Sequence, residues 1–396
     1  MGKTRYLVPM SCPDLNDEDR QAVIDVLQTN YLSMGPKIEA FEEAVAKYTG
    51  ARHALGVSSG TTGLHLCVRA ADIQPGDYVI TSPFSFVSST NVLLFENAVP
   101  VFVDVDPKTG NIDPDKVKQA VNDLKSGNEE RTTKWLPRKG AGKSGKLKGL
   151  LAVDVFGQPA DYDNLEKITQ DNNLFLIEDS CEAMGAEYKH RKAGLFGDFG
   201  VFAFYPNKQM TTGEGGMVIT NKSAAADLMR ALRNQGRAPG DNWLQHTLLG
   251  YNYRLNEMSA ALGASQMQRI DELISKRETV AQWYNTNLKG IDGVEIPYVS
   301  PATTRMSWFV YVIRIGQHFN RDRTAAKMDA AGIPVRPYFL PIHLQHYMVD
   351  RFDYKEGDYP ITEDLGRRSL ALPFSGLMTE DQVKLVCDKL KTCLCK

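Results

Sequence analysis

The stretch FYPNKQMTTGEGG, residues 204–216, sets one lysine, Lys208, ahead of a loop with three glycines in its last four positions. Upstream lies FGVFAF and downstream MVIT, both aromatic or β-branched runs of buried-strand length, so Lys208 opens a turn between two interior strands. A lysine walled in at such a place loses hydration, which lowers its pKa and frees the neutral amine as a nucleophile or Schiff-base former. The bland alternative is a lysine whose head snorkels to solvent from a strand end. Residues elsewhere in the chain decide between them.

The chain has 396 residues, room for two domains. Its formal net charge is −2 and its pI about 6.4, so no global basic field is present to hold nucleic acid or an anionic membrane. The first residues lack an apolar signal core, and no segment nears the roughly 20 apolar residues of a membrane span. These features predict a soluble, cytoplasmic protein. Cys12, Cys67, Cys181, Cys387, Cys393 and Cys395 have neither zinc-site spacing nor the density of a disulfide scaffold, and read as reduced thiols.

From residue 53 the chain alternates. HALGVSS, DYVITSP, VPVFVDVD, LKGLLAVDVFG and LFLIED read as strands, separated by the helical TTGLHLCVRAAD, SSTNVLLFEN and YDNLEKITQDN. This order predicts an α/β fold with a large, mostly parallel sheet and helices on both faces. Residues 1–269 form the expected large domain and 270–396 a smaller C-terminal α+β domain. A single long helical stretch is expected near 254–291. Residues 126–148 break the alternation with seven basic residues among Gly, Ser and Thr, and predict a mobile surface insertion. Within them GAGKSGK, residues 140–146, imitates a phosphate-binding loop, but Leu147 stands where Ser or Thr is required.

A buried lysine in an α/β enzyme suggests an aldehyde cofactor, and pyridoxal 5'-phosphate makes three further demands. A carboxylate must face the ring nitrogen, and Asp179 ends a strand where parallel sheets collect ligands, with Glu178 pointing the other way. The phosphate needs donors, and SSGTTG at 58–63 aims the amides of Gly60, Thr61 and Thr62 along a helix dipole, with the hydroxyls of Ser59 and Thr61 beside them. The ring needs a flat neighbour, and Phe84 or Phe86 supplies one. Taken singly, each feature is also met in an ordinary strand-end cap, turn or core aromatic. HLQH, from His343 to His346, has helical metal spacing but no third ligand in reach, so no metal site is expected.

With these blocks in this order, the chain resembles the fold-type I, pyridoxal-phosphate-dependent sugar aminotransferases of the DegT/StrS type. SSGTTGLHL, VPVFVDVDP, DVFGQPADYD, IEDSCEAMGA, NKQMTTGEGGMVITN and LGYNYRLNEMSAALG carry the likeness. The resemblance implies Lys208 as covalent anchor of the cofactor, Asp179 at its ring nitrogen, Ser59, Gly60 and Thr61 at its phosphate, and Phe86 on its ring face. Asn252 matches a position that reaches the cofactor of the neighbouring subunit, implying a homodimer with shared active sites. His343 and Arg336 are candidates for substrate contact. Two positions depart from the family: Ala203 stands where a phosphate-binding serine is common, and Glu182 where Gln or His is common. Glu182 lies near the cofactor's phenolic oxygen and resembles enzymes that aminate carbon 4 of a nucleotide-linked 4-keto-6-deoxyhexose. The implied reaction moves an amino group from L-glutamate to a nucleotide-diphosphate keto sugar. Amination at carbon 3, or a cofactor-binding regulatory protein without transfer, are the alternatives. A dehydratase of this family carries histidine in place of the lysine, so Lys208 argues against it.

Overall fold

The computed structural model describes residues 6–142, 145–238 and 240–394. Seven strands form the main sheet: β1 (His53–Val57), β2 (Tyr78–Thr81), β3 (Val99–Phe102), β4 (Leu147–Val153), β5 (Phe175–Asp179), β6 (Phe199–Ala203) and β7 (Gly216–Thr220). Their spatial order is β1-β7-β6-β5-β4-β2-β3. Only β7 runs antiparallel to its neighbours. It returns at once beside β6, so both ends of the Lys208 loop are held in the sheet, with Ala203 opposite Gly216. Every strand is buried along most of its length because helices cover both faces, which explains why the sequence shows apolar runs rather than alternation.

A second, antiparallel sheet contains β8 (Val294–Glu295), β9 (Tyr311–Ile315), β10 (Arg336–Pro337) and β11 (Ser369–Leu372), in the order β8-β9-β11-β10. Helices Ile270–Leu288 and Glu380–Leu394 pack on it around Tyr284, Tyr311, Phe374 and Leu390. The long helix expected near 254–291 is two helices, Glu257–Gln268 and Ile270–Leu288, because Arg269 leaves the helical conformation (φ −124°, ψ 22°). Its guanidinium donates to Asp14 (3.0 Å) and Asp19 (2.9 Å), tying the break to the N-terminal segment. We propose that the two units divide at this break.

The basic insertion is not the free loop its composition predicts. It holds a short helix, Glu129–Thr133, after which Trp135 donates its indole N–H to Asp123 (2.9 Å) and Pro137 is buried. Arg138 grips both oxygens of Asp358 (2.6 and 2.7 Å), and Lys139 N donates to the carbonyl of Phe352. Trp135, Leu136 and Ala141 pack on the core beneath, an apolar set hidden in the sequence among lysines and arginines. Lys143 and Ser144 of the phosphate-loop imitation lie outside the described residues, as does Cys395. The five described cysteines are free thiols. No helix among the described residues is long and apolar enough to cross a membrane.

Glu257, the first residue of helix Glu257–Gln268, anchors the start of a second helix. Its carboxylate is 1% exposed and accepts N–H bonds from Gly35 (3.0 Å), Lys37 (2.8 Å) and Ile38 (3.2 Å), the start of helix Pro36–Thr49. A negative charge there satisfies orphan donors and meets the positive end of the helix dipole. Glu257→Gln removes the charge and turns an amide N–H₂ toward donors. Urea unfolding is expected to register a loss of about 1–3 kcal/mol; an unchanged midpoint would rule out this role for Glu257.

Candidate active site

The C-terminal ends of the parallel strands converge on Lys208. The lysine sits in a turn after β6, with its amide donating to the carbonyl of Tyr205 (2.9 Å). Its side chain is only 12% exposed, and Nζ lies 3.7 Å above the centre of the Phe309 ring. The ammonium therefore does not snorkel: an aromatic face receives it. Glu182 approaches from the other side, its Oε1 3.5 Å from Nζ, while its Oε2 accepts from the amide of Phe156 (2.9 Å). Burial pushes the Glu182 carboxyl above its ordinary pKa, and the neighbouring Lys208 opposes that shift. Glu182 is thus an interior residue facing Lys208, and not a surface glutamate.

Asp179, the last residue of β5, is 6% exposed. Its Oδ2 accepts from Ser89 Oγ (2.9 Å) and its Oδ1 from Cys181 N (3.2 Å). Strand alternation sends Glu178 to the opposite face, where it accepts from the amides of Gly194 (2.8 Å) and Gly197 (2.5 Å).

At the end of β1, helix Gly60–Ala70 begins with a reciprocal cap: Ser59 Oγ accepts from Thr62 N (3.2 Å) and Thr62 Oγ1 from Ser59 N (3.1 Å). The Ser59 hydroxyl is thus already engaged in capping, whereas Thr61 Oγ1 meets Ser88 Oγ at 2.9 Å and belongs to a pair of hydroxyls. First-turn amides of a helix lack intrahelical partners and bind anions. The backbone at Gly60 is so close to its surroundings that a Cβ there would stand 2.7 Å from Cys181 Sγ and 2.8 Å from Ala203 Cβ. Cys181 and Ala203 form the wall behind this helix start, at the position where the family commonly supplies a serine.

Phe86 and Phe84 part company. Phe84 is buried and meets Phe156 and Phe339 edge-on, whereas Phe86 is 62% exposed on the loop before helix Ser88–Phe95, free to cover a ligand. Arg336 is exposed and lines a pocket of about 320 Å³ with Ser11, Asn207, Phe309 and Tyr338. Next to Lys208, the buried side-chain oxygen of Asn207 has no hydrogen-bond partner. Asn252 is exposed, bridged through its backbone to Asn234.

His343, a candidate for substrate contact, is not open to solvent. It is fully buried, its Nε2 is 3.0 Å from Glu363 Oε1, and its ring is packed edge-on to Tyr354 and Tyr359. The HLQH segment is not one helix either: His343 lies in the turn Ile342–Leu344, and His346 starts the helix His346–Phe352. No group of three or more His, Cys, Asp or Glu among the described residues is placed to hold a metal.

The arrangement fits pyridoxal phosphate. A helix start that admits only glycine can take the phosphate, a buried carboxylate at a strand end can face the ring nitrogen, and the Lys208 amine lies beside Glu182 on the Phe309 ring. Ser88, Ser89, Asn207 and Phe309 complete the surroundings and were not singled out by the sequence. The hydroxyl run SSTN at the start of helix Ser88–Phe95 is the one available signal; nothing local to Phe309 marks it.

The family model for the DegT/DnrJ/EryC1/StrS aminotransferase family matches residues 13–391. GDP-perosamine synthase of Caulobacter vibrioides is 34% identical, with 96% of each chain covered. The spore coat polysaccharide biosynthesis protein SpsC of Bacillus subtilis is 33% identical over 98% of this chain and 97% of its own. Among solved structures, DesV of S. venezuelae, in complex with a ketimine intermediate, superposes with a TM-score of 0.85 at 29% identity, covering 97% of this chain and 98% of its own. PseC of Helicobacter pylori, an aminotransferase involved in the biosynthesis of pseudoaminic acid, gives 0.86 at 27% identity with 98% of each chain covered.

Gly60→Ala tests the cup. Neither Cys181 nor Ala203 has a long side chain to swing away, so the added methyl must displace the helix start from its anion. Cofactor is expected to dissociate at least about tenfold more readily, the equivalent of ~1.4 kcal/mol. Unaltered retention would place the phosphate elsewhere.

Proposed function

The chain belongs to the DegT/DnrJ/EryC1/StrS aminotransferase family, and we propose that it moves the amino group of L-glutamate to carbon 4 of a nucleotide-linked 4-keto-6-deoxy sugar. The observation that carries this reading is Glu182, a buried carboxylate 3.5 Å from Lys208 Nζ, at the position that in perosamine-type enzymes goes with 4-amination. The 34% identity to a GDP-perosamine synthase supports the same assignment.

Pyridoxal phosphate, when bound, supplies the electron sink that makes the proton on the amino-bearing carbon removable. The chain's residues do the rest. Asp179, held by Ser89 Oγ and Cys181 N, is the carboxyl group that would face the ring nitrogen of the bound cofactor. Lys208 anchors the cofactor, and its amine, once released, takes and returns the migrating proton as general base and acid. Glu182 and the Phe309 face hold that amine in place between transfers. Glutamate leaves as 2-oxoglutarate, and the carbonyl oxygen of the sugar leaves as water.

The sugar class is tested by incubating the holoprotein with L-glutamate, removing the donor, and adding GDP-, UDP- or dTDP-linked 4-keto-6-deoxy sugars or, in parallel, their 3-keto isomers. One of them is expected to yield a 4-amino sugar, and product only from 3-keto sugars would overturn the assignment. Borohydride reduction and peptide mapping are expected to place the cofactor on Lys208. Asp179→Asn should cut turnover by more than about 10²-fold, the scale of losing a catalytic electrostatic partner.

We also propose that Asn252 serves the site of a second copy in a homodimer. Lys208→Ala and Asn252→Ala proteins, each impaired, should regain activity when their subunits are exchanged. A hybrid then has one site with both residues intact and one with both lesions. No recovery after verified exchange would assign Asn252 to its own subunit.

A further inference from the structure

Arg277 lies in helix Ile270–Leu288 of the C-terminal unit and is 4% exposed. All four of its observed hydrogen bonds go to backbone carbonyls. Nη1 donates to Trp308 (3.3 Å) and Phe309 (3.2 Å), and Nη2 to Asn207 (3.2 Å) and Lys208 (2.5 Å). Among the described residues no carboxylate forms a salt bridge with it, and burial pushes the guanidinium pKa down to about 10. A buried charge is costly unless its donors are satisfied, and here satisfaction comes from two segments far apart in sequence. One carries the Lys208 amine and the other carries the ring on which that amine rests. Gln209 repeats the tie next door, its Nε2 donating to the carbonyls of Glu182 (2.5 Å) and Ser307 (3.0 Å). The planar fork of arginine suits this task, because it reaches two carbonyl pairs in fixed directions, which a lysine ammonium does not.

We propose that Arg277 is a positioning residue for amino transfer: by clamping the carbonyls of residues 207–208 to those of 308–309, it fixes Lys208 over Phe309 at the spot from which the proton is moved. The inference rests on Lys208 being the cofactor's anchor. Arg277 itself touches neither cofactor nor substrate in this account. Misplacement of a reacting group by about 1 Å is enough for a loss on the order of 10²-fold.

The test uses holoprotein of Arg277→Met and Arg277→Lys, with rates expressed per bound cofactor. With L-glutamate as donor, the Met variant is expected to lose about 10²-fold in kcat and the Lys variant less, while KM for glutamate stays within about threefold. The primary isotope effect with L-glutamate deuterated at Cα should rise in both, because the proton shift becomes the slow step. The fraction of bound cofactor that borohydride fixes to Lys208 should fall. A residue needed only for folding would lower the melting temperature and the loaded fraction, yet leave rate and isotope effect per loaded site at wild-type values, and that result overturns the proposal. If the Met variant does not fold, the Lys variant decides by the same measures. Cofactor fixed to another lysine in the wild-type protein would instead overturn the anchor reading underneath, so the two failures are told apart.

Discussion

A lysine ammonium resting on an aromatic face, within 3.5 Å of a buried carboxylate, is the interaction that organises this molecule. Neither charge would be stable in the interior alone, because each loses several kcal/mol of hydration on burial. Their neighbourhood makes both tolerable, and it demands that two strands of the main sheet, β5 and β6, end at one place. Asp179 ends β5, the Lys208 turn follows β6, and Glu182 lies three residues beyond Asp179. The parallel order of β4, β5 and β6 puts those ends on one edge, with Val153, Asp179 and Val201 in register.

The same constraint explains why the lysine loop is closed by an antiparallel strand. A crossover helix after β6 would leave the lysine at the mouth of a long connection. The immediate return through β7 closes it into a short loop with both ends in the sheet, so few backbone conformations remain open to it. Thr211 Oγ1 donates to Phe204 O, and Thr212 N donates to the same carbonyl, which stitches the loop across its base.

The fold was legible in the sequence because its strands are buried on both faces and therefore stand out as continuous apolar runs between helical segments. Asp179 and Lys208 were legible because a charged residue at the end of such a run has few reasons to be there, whereas Glu182 entered only through the resemblance to the family. Phe309, Ser89 and Arg277 were not, since each looks locally like part of an ordinary strand, loop or helix and gains its role from a partner distant in sequence. His343 misled for the opposite reason: its buried pairing with Glu363 reaches across helix His346–Phe352 and the loop after it, which the sequence does not mark. The insertion misled because composition counts charges, whereas docking depends on the few apolar side chains between them, Trp135 and Leu136 among them.

The clamp between residues 207–208 and 308–309 also orders events in time. Ribosomal synthesis proceeds from the N-terminus, so the strands that bear Asp179 and Lys208 emerge long before the helix of Arg277 or the ring of Phe309. Until roughly the first three quarters of the chain have left the ribosome, the lysine loop has its sheet but not its carbonyl clamp and aromatic surface. A nascent chain of this protein therefore completes its reactive centre after the sheet that carries it, and the amine lacks its aromatic cover until residue 309 has been made.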